Sequence, residues 1–360
     1  MEIWTTGVAS PRGSARTAQA LEAAGWDGLL VVDSQNLSGD PYIAMAMAAA
    51  ATTRLGVGTG VTNPVTRHAS VTAASVASVQ RIAAGRAVLG IGRGDSALAH
   101  LGRAPARLAY FARYLRQLRA YLTNEPVAFP DIDIPLEFAP PLSELELADA
   151  PPASRIAWIA GGQPVPIEVA ASGPRVIALA ATLADRVMFA VGADVDRIAW
   201  GIGVARAARA KAGLDPAGVS FGAYVNCGCN TDIARARDLV KGGLTTFARF
   251  SVMHGKASGP VSASDSAVLH HLHDSYDMRA HTQADSRQAG TLTDTFTDRF
   301  AIVGPPDTCI ARLRALAALG LDKIAMAGGM RGASEADART SRTLLETEVL
   351  PALRTARSAR

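Results

Sequence analysis

The chain has 360 residues, 49% of them hydrophobic, 19% charged and 5% aromatic, with a formal net charge of +4. That length and apolar content suit one β/α barrel with insertions or two ordinary domains. Charge spread without a basic run, beside so few aromatic rings, argues against a nucleic-acid partner.

Export and membrane signals are also missing. No uncharged apolar run reaches the roughly 20 residues of a membrane span, although 42–52 covers part of that length. Met1 opens on a strand followed by Arg12 and Arg16 rather than on a signal peptide, so no membrane partner and a cytoplasmic location are expected.

In chain order, period-two patterning predicts a strand over 2–7 and 3.6-residue patterning a helix over 14–24, closed by Gly25. A second strand over 28–32 ends in Asp33 and Ser34, and Asp40 before Pro41 starts a helix that runs to about 53. Met45 and Met47 on that helix read as core. The stretch 55–61 alternates apolar residues with glycine, as a buried strand does where another backbone or a flat ligand approaches. Thr62, Asn63, Pro64, Thr66, Arg67 and His68 follow at its carboxyl end. A helix over 70–84 is stopped by Gly85, and a strand over 87–91 delivers Gly92, Arg93, Gly94, Asp95 and Ser96 to the same end. Parallel α/β folds keep their chemistry there.

A long amphipathic helix over 104–122 leads into 123–163, rich in proline and without periodicity, which is expected to be an insertion holding a lid or a strand pair. Strands are predicted over 165–169, 186–190 and 219–226, with helices from 173 to 184, over 194–212 and from 232. A second insertion over 254–300 carries most of the histidines, and a helix over 307–318, a strand over 323–327 and a helix over 334–353 end the chain. Eight strands alternating with helices favour a single-domain (β/α)8 TIM barrel spanning 1–360 over an open doubly wound sheet.

Gly90, Gly92 and Gly94 follow neither the dinucleotide fingerprint nor the Walker loop. Ala171, Ser172, Gly173, Pro174 and Arg175 lie between a strand and a helix, where exposed amides and a nearby cation suit a phosphate. An ordinary helix start with proline in its first turn is the alternative. Cys227, Cys229 and Cys309 have no disulfide or zinc spacing and read as buried thiols. His270, His273 and Asp274 share a helical face, but a solvated histidine face is the simpler reading and no metal is expected.

The runs Gly60-Val61-Thr62-Asn63-Pro64, Thr66-Arg67-His68 and Gly85-Arg86-Ala87-Val88-Leu89-Gly90-Ile91-Gly92, with Gly94-Asp95 after them, closely resemble the methylenetetrahydromethanopterin reductases of the bacterial-luciferase-like superfamily. Ala170-Ala171-Ser172-Gly173-Pro174 resembles that superfamily's cofactor-phosphate loop, and Phe300-Ala301-Ile302-Val303-Gly304-Pro305 its lead into the last βα unit. The resemblance implies a barrel enzyme using coenzyme F420, a deazaflavin, or alternatively FMN. It implies a cis peptide at Gly60-Val61 behind the ring, polar cofactor positions at Asp33, Asn36, Thr62 and Asn63, and self-association through outer helices as a homodimer or larger assembly. Asp95 matches a carboxylate near the reacting carbon, an acid or cation stabiliser, with simple capping of the next helix as the alternative. His68 competes for the proton-handling role, or is bonded to a neighbouring loop. Trp4, Thr5 and Thr6 stand where archaeal members place a first-strand glutamate, so the likeness carries cofactor use further than a pterin substrate. The expected activity is hydride transfer to or from a small organic substrate. An FMN-dependent monooxygenase using oxygen, or a non-catalytic flavin-binding barrel, is the alternative.

Overall fold

A computed structural model describes residues 1–10, 12–327 and 332–355. Its strands are β1 (Glu2–Gly7), β2 (Gly28–Val31), β3 (Gly56–Thr59), β4 (Ala87–Ile91), β5 (Ile167–Ala171), β6 (Arg186–Phe189), β7 (Ser220–Cys229), β8 (Ile302–Gly304) and β9 (Lys323–Ala327). All pair in parallel, in the order β6-β5-β4-β3-β2-β1-β9-β7-β8, and pairing of β6 with β7 closes the sheet. Eight strands thus form the predicted TIM barrel, and β8 hangs outside the ring on Cys227–Cys229 of β7.

The helices are α1 (Ser14–Ala24), α2 (Pro41–Ala50), α3 (Ala69–Ile82), α4 (Ser96–Ala99), α5 (Leu108–Leu122), α6 (Pro174–Leu183), α7 (Val195–Lys211), α8 (Ile233–Phe250), α9 (Ala263–Ser275), α10 (Asp294–Phe300), α11 (Pro306–Ala318), α12 (Glu335–Leu344) and α13 (Leu350–Thr355). Local chemistry fixes several ends. Asp40 accepts from the amides of Tyr42 (2.8 Å) and Ile43 (3.2 Å) at the start of α2, and Gly25 closes α1 at φ 94°, a left-handed conformation that glycine tolerates.

The barrel lumen is filled by Trp4, Leu30, Val88, Met188 and Tyr224. Trp4 fits because Gly28 and Gly56 flank it; a Cβ on either would come within 2.3 Å and 2.5 Å of its ring. Beneath it, Lys323 Nζ lies 3.4 Å from the Trp4 ring centroid and 2.8 Å from Glu168 Oε2, with Arg186 on the other carboxylate oxygen. Burial pushes the Lys323 amine down while Glu168 opposes the shift. The floor is therefore a closed ionic plug.

Several boundaries differ from the sequence expectation. β5 starts two residues later because Pro166 has no N–H to give to the ladder. β7 runs on to Cys229 to meet β8, a three-residue strand too short to show a period. The final helix is interrupted by a widened turn at Leu345–Val349, just before Pro351, whose ring nitrogen donates no hydrogen bond. The first insertion holds no strand pair beyond one antiparallel bridge, Val127 to Ser154. The second packs α9 and α10 on α8 around Leu244, Leu269, Leu272, Phe296 and Phe300. It is tied down by the buried Arg197, which donates to Val191 O (2.8 Å), Pro260 O (3.0 Å) and Ser251 Oγ (2.8 Å).

Gly56→Ala should drive a methyl into the Trp4 ring and lower stability by about 1 to 3 kcal/mol in urea denaturation. Gly203→Ala, on the exposed face of α7 where an added Cβ meets nothing, should be neutral or stabilising.

Candidate active site

Parallel closure places the ends of β2, β3, β4 and β5 on one rim. There the buried Asp33 accepts from Thr62 Oγ1 (2.6 Å) and Arg67 Nη1 (2.5 Å), and Arg67 Nη2 reaches Asp40 (2.8 Å). Against the cost of burial, the Asp33 charge holds the Arg67 guanidinium above its ordinary value. Arg67 also lies over the Tyr42 ring at 5.1 Å. Among the described residues, one oxygen of Asp33 and the Tyr42 hydroxyl are buried without hydrogen-bond partners.

The next loop begins at the Gly60–Val61 peptide, which is cis. Thr62 N then donates to Gly90 O (2.9 Å) and Gly92 N to Thr62 O (2.9 Å), stapling the β3 and β4 loops together. Asn63 accepts from the amides of Val65 (3.0 Å) and Thr66 (3.1 Å) and donates to Thr66 Oγ1 (3.0 Å), so its amide shapes its own turn. Asn36 lies on the exposed rim, accepting from Gln35.

Asp95 precedes α4 but makes no side-chain cap there, so the capping alternative is set aside. Its carboxylate is ion-paired with Arg249, 154 residues away in the last turn of α8. Arg249 lies 4.5 Å from the Tyr276 ring centroid, and the Tyr276 hydroxyl is 2.8 Å from His281 Nδ1 and 3.3 Å from Thr246 Oγ1. Against its own burial, Asp95 keeps Arg249 above the usual arginine value. Burial pushes the Tyr276 phenol up and His281 down to about 4, so that imidazole is neutral at physiological pH.

Ala171 ends β5, and Ser172 and Gly173 lead into α6, whose amino terminus carries Pro174 and no side-chain cap. An added Cβ at Gly173 would meet nothing, so the backbone there is open. Arg175 is exposed, and burial followed by the nearby Arg175 charge lowers Arg93 from its ordinary value. Ser172 Oγ donates to Phe250 O (3.1 Å), which places this loop against the same end of α8 that holds Asp95.

His68 stands elsewhere. It caps α3, with Nδ1 2.7 Å from Ser70 Oγ and its ring edge-on to Tyr121 at 6.4 Å. Burial lowers its basicity, and its Nε2 is buried without a partner. The structure therefore groups Asp95 with Arg249, Tyr276 and His281, and Asp33 with Thr62 and Arg67, while His68 serves the outer helices. His270 is exposed and bonds Ser266 O of its own helix at 2.7 Å. Arg249 had no sequence signal: a cation in a last helical turn ordinarily just complements the dipole.

A cavity of about 580 Å³ opens at the opposite end of the barrel, beside Glu2, Trp4, Arg86 and Arg186. Several of its charged groups are engaged: Glu2 accepts from Trp4 Nε1 (2.9 Å), Arg86 donates to Ala49 O (3.1 Å) and Thr52 O (3.0 Å), and Arg186 pairs with Glu168. That end supports the floor, although Arg186 Nε there, like several groups at the rim, is buried without a partner among the described residues.

A family model described as luciferase-like monooxygenase matches residues 3–323. The 5,10-methylenetetrahydromethanopterin reductase of Methanolobus tindarius is 29% identical over 317 residues, covering 86% of this chain and 88% of the relative. The coenzyme F420 dependent tetrahydromethanopterin reductase from Methanopyrus kandleri superposes with a TM-score of 0.71 at 19% identity, over 97% of this chain and 98% of that one. The oxygenating constituent of 3,6-diketocamphane monooxygenase from Pseudomonas putida, in complex with FMN, gives a TM-score of 0.63 at 18% identity, over 98% of each chain. With the match running from the first barrel strand to the start of the last, the chain belongs to the luciferase-like monooxygenase family of oxidoreductases.

Proposed function

We propose that this enzyme transfers hydride between a deazaflavin of the F420 type and a small organic substrate, as a methylenetetrahydromethanopterin reductase-like oxidoreductase. The observation that carries this reading is the rim itself. The stapled β3 and β4 loops face a cationic, uncapped helix start, and the end of α8 holds both sides. The residues present fit a flat ring with a phosphate-bearing tail. Among the described residues Asp33 has an unused buried oxygen and Asn226 on β7 a buried amide nitrogen without a partner, and Gly173 has an open backbone.

Asp33, Thr62, Asn63 and the Gly60–Val61 backbone would hold the ring, with Asn36 at the rim. The α6 amino terminus, with Ala171, Ser172, Gly173, Pro174 and Arg175, would hold the phosphate. Bound there, a deazaflavin supplies two-electron hydride chemistry. Asp95, engaged by Arg249 as an anion, favours positive charge developing on a substrate more than it favours proton donation. The Tyr276 hydroxyl and the neutral His281 beside it hold the exchangeable proton of this wall. Exposed Ile43 on α2, with Val71 and Ile82 on α3, supports self-association through outer helices.

Titration with reduced F420 and reduced FMN should show selective binding of the deazaflavin. Preference for FMN would move the reading to a monooxygenase. Arg175→Glu should weaken F420 affinity about tenfold, or about 1.4 kcal/mol, in a fluorescence titration. Asp95→Asn should lower turnover about 100-fold or more while leaving that affinity nearly unchanged, and an unaltered rate would remove Asp95 from the chemistry.

His281 gives a pH dependence. Above pH 6.5 neither the folded nor the unfolded chain protonates this ring; between pH 6.5 and about 4 only the unfolded chain does. Stability should therefore fall with pH across that window by up to about 3 kcal/mol relative to His281→Asn, measured by denaturant unfolding at each pH.

A further inference from the structure

Residues 123–154 form an arm between α5 and the segment leading to β5. Its neck is closed by Val127 N donating to Ser154 O (2.8 Å), Ser154 N to Val127 O (2.9 Å) and Tyr121 Oη to Ser154 Oγ (2.9 Å). Beyond the neck it makes two further ties, Arg113 to Asp133 and Gln117 to Asp131 O. Every residue from 133 to 152 is exposed, including Leu136 at 69%, Phe138 at 79% and Leu145 at 64%. Apart from 3-10 turns at Phe129–Asp131 and Leu142–Leu145 the arm has no helix or strand; such long loops are uncommon in compact domains, and exposed apolar side chains close together mark contact surfaces. Pro135, Pro140, Pro141, Pro151 and Pro152 restrict the free arm, which reduces the ordering needed for it to dock.

Charge identifies the occupant. The arm holds seven of the chain's 32 carboxylates and none of its 36 lysines and arginines, so it carries −7 while the remaining residues, with 36 cations against 25 carboxylates, carry +11. We propose that the arm is an intermolecular clamp, laying Leu136, Phe138 and Leu145 with their acidic neighbours on the net-positive body of a second copy of this chain. This contact is distinct from the outer-helix face of α2 and α3 and independent of cofactor choice.

Light scattering and sedimentation equilibrium on the full chain, at low and high salt, test it. The full chain should associate, and less tightly as salt rises. Replacing residues 133–152 by a short glycine-serine linker should weaken association about tenfold or more, with the circular dichroism spectrum unchanged, because the arm buries little of the barrel. Leu136→Ser with Phe138→Ser, and separately Glu144→Lys with Glu146→Lys and Asp149→Lys, should each do the same with the arm's length preserved. The proposal fails if the full chain is monomeric at all concentrations, if the shortened chain associates as tightly as the full one, or if association is indifferent to salt.

Discussion

Pairing of β6 with β7 turns a parallel sheet into a ring, and that closure decides where every polar loop of the protein can meet. Parallel strands in a ring all end at one rim, so Asp33, Thr62, Asp95 and Ser172 converge although they come from four successive strand ends. The ring closes around Trp4 because glycines at 28 and 56 leave the volume its indole takes up. A lumen filled by side chains above an ionic plug leaves the strand ends at the rim as the place where polar loop groups gather.

The two ends of the barrel treat charge differently. At the floor Lys323, Glu168 and Arg186 neutralise one another out of water, the arrangement in which a buried ion is tolerated. At the rim Asp33 and Asp95 each have a guanidinium, yet Asp33 retains an oxygen, and Asn226 and Arg249 a nitrogen, without partners among the described residues. Leaving such a group unpaired costs about 1 to 3 kcal/mol, a cost that Arg186 Nε at the floor and the Tyr224 hydroxyl in the lumen carry as well. At the rim, which is open to solvent, a ligand carrying complementary donors and acceptors would offset it.

The second insertion contributes a wall of its own to this rim. Arg197 fastens it through three hydrogen bonds, and its satellite core fixes α9 and α10 on α8. Tyr276 and His281 are thereby held against Arg249, and so against Asp95. The first insertion does the opposite over 133–152, where its prolines deny it ladder hydrogen bonds and its apolar side chains are exposed, while Val127, Ile156 and Ile159 at its two ends join the main core.

The sequence by itself determined the alternation of strands and helices, the barrel class and the two polar clusters after β3 and β4, because these depend on periods of a few residues and on local turn and cap chemistry. It placed Asp95 and the Gly173 helix start correctly along the chain, and the Gly60–Val61 resemblance anticipated the cis peptide. It did not mark β8, three residues long, as a strand, although the run 300–305 resembles the family's lead into the last βα unit, and it had no purchase on Arg249, which meets Asp95 from 154 positions further along the chain. Nor did it separate His68 from the rim, since two residues beyond the same strand can face a lumen or a helix layer. Tertiary structure decided those partnerships, because burial and charge pairing depend on which surfaces the closed ring brings together, and spacing along the chain carries no record of that.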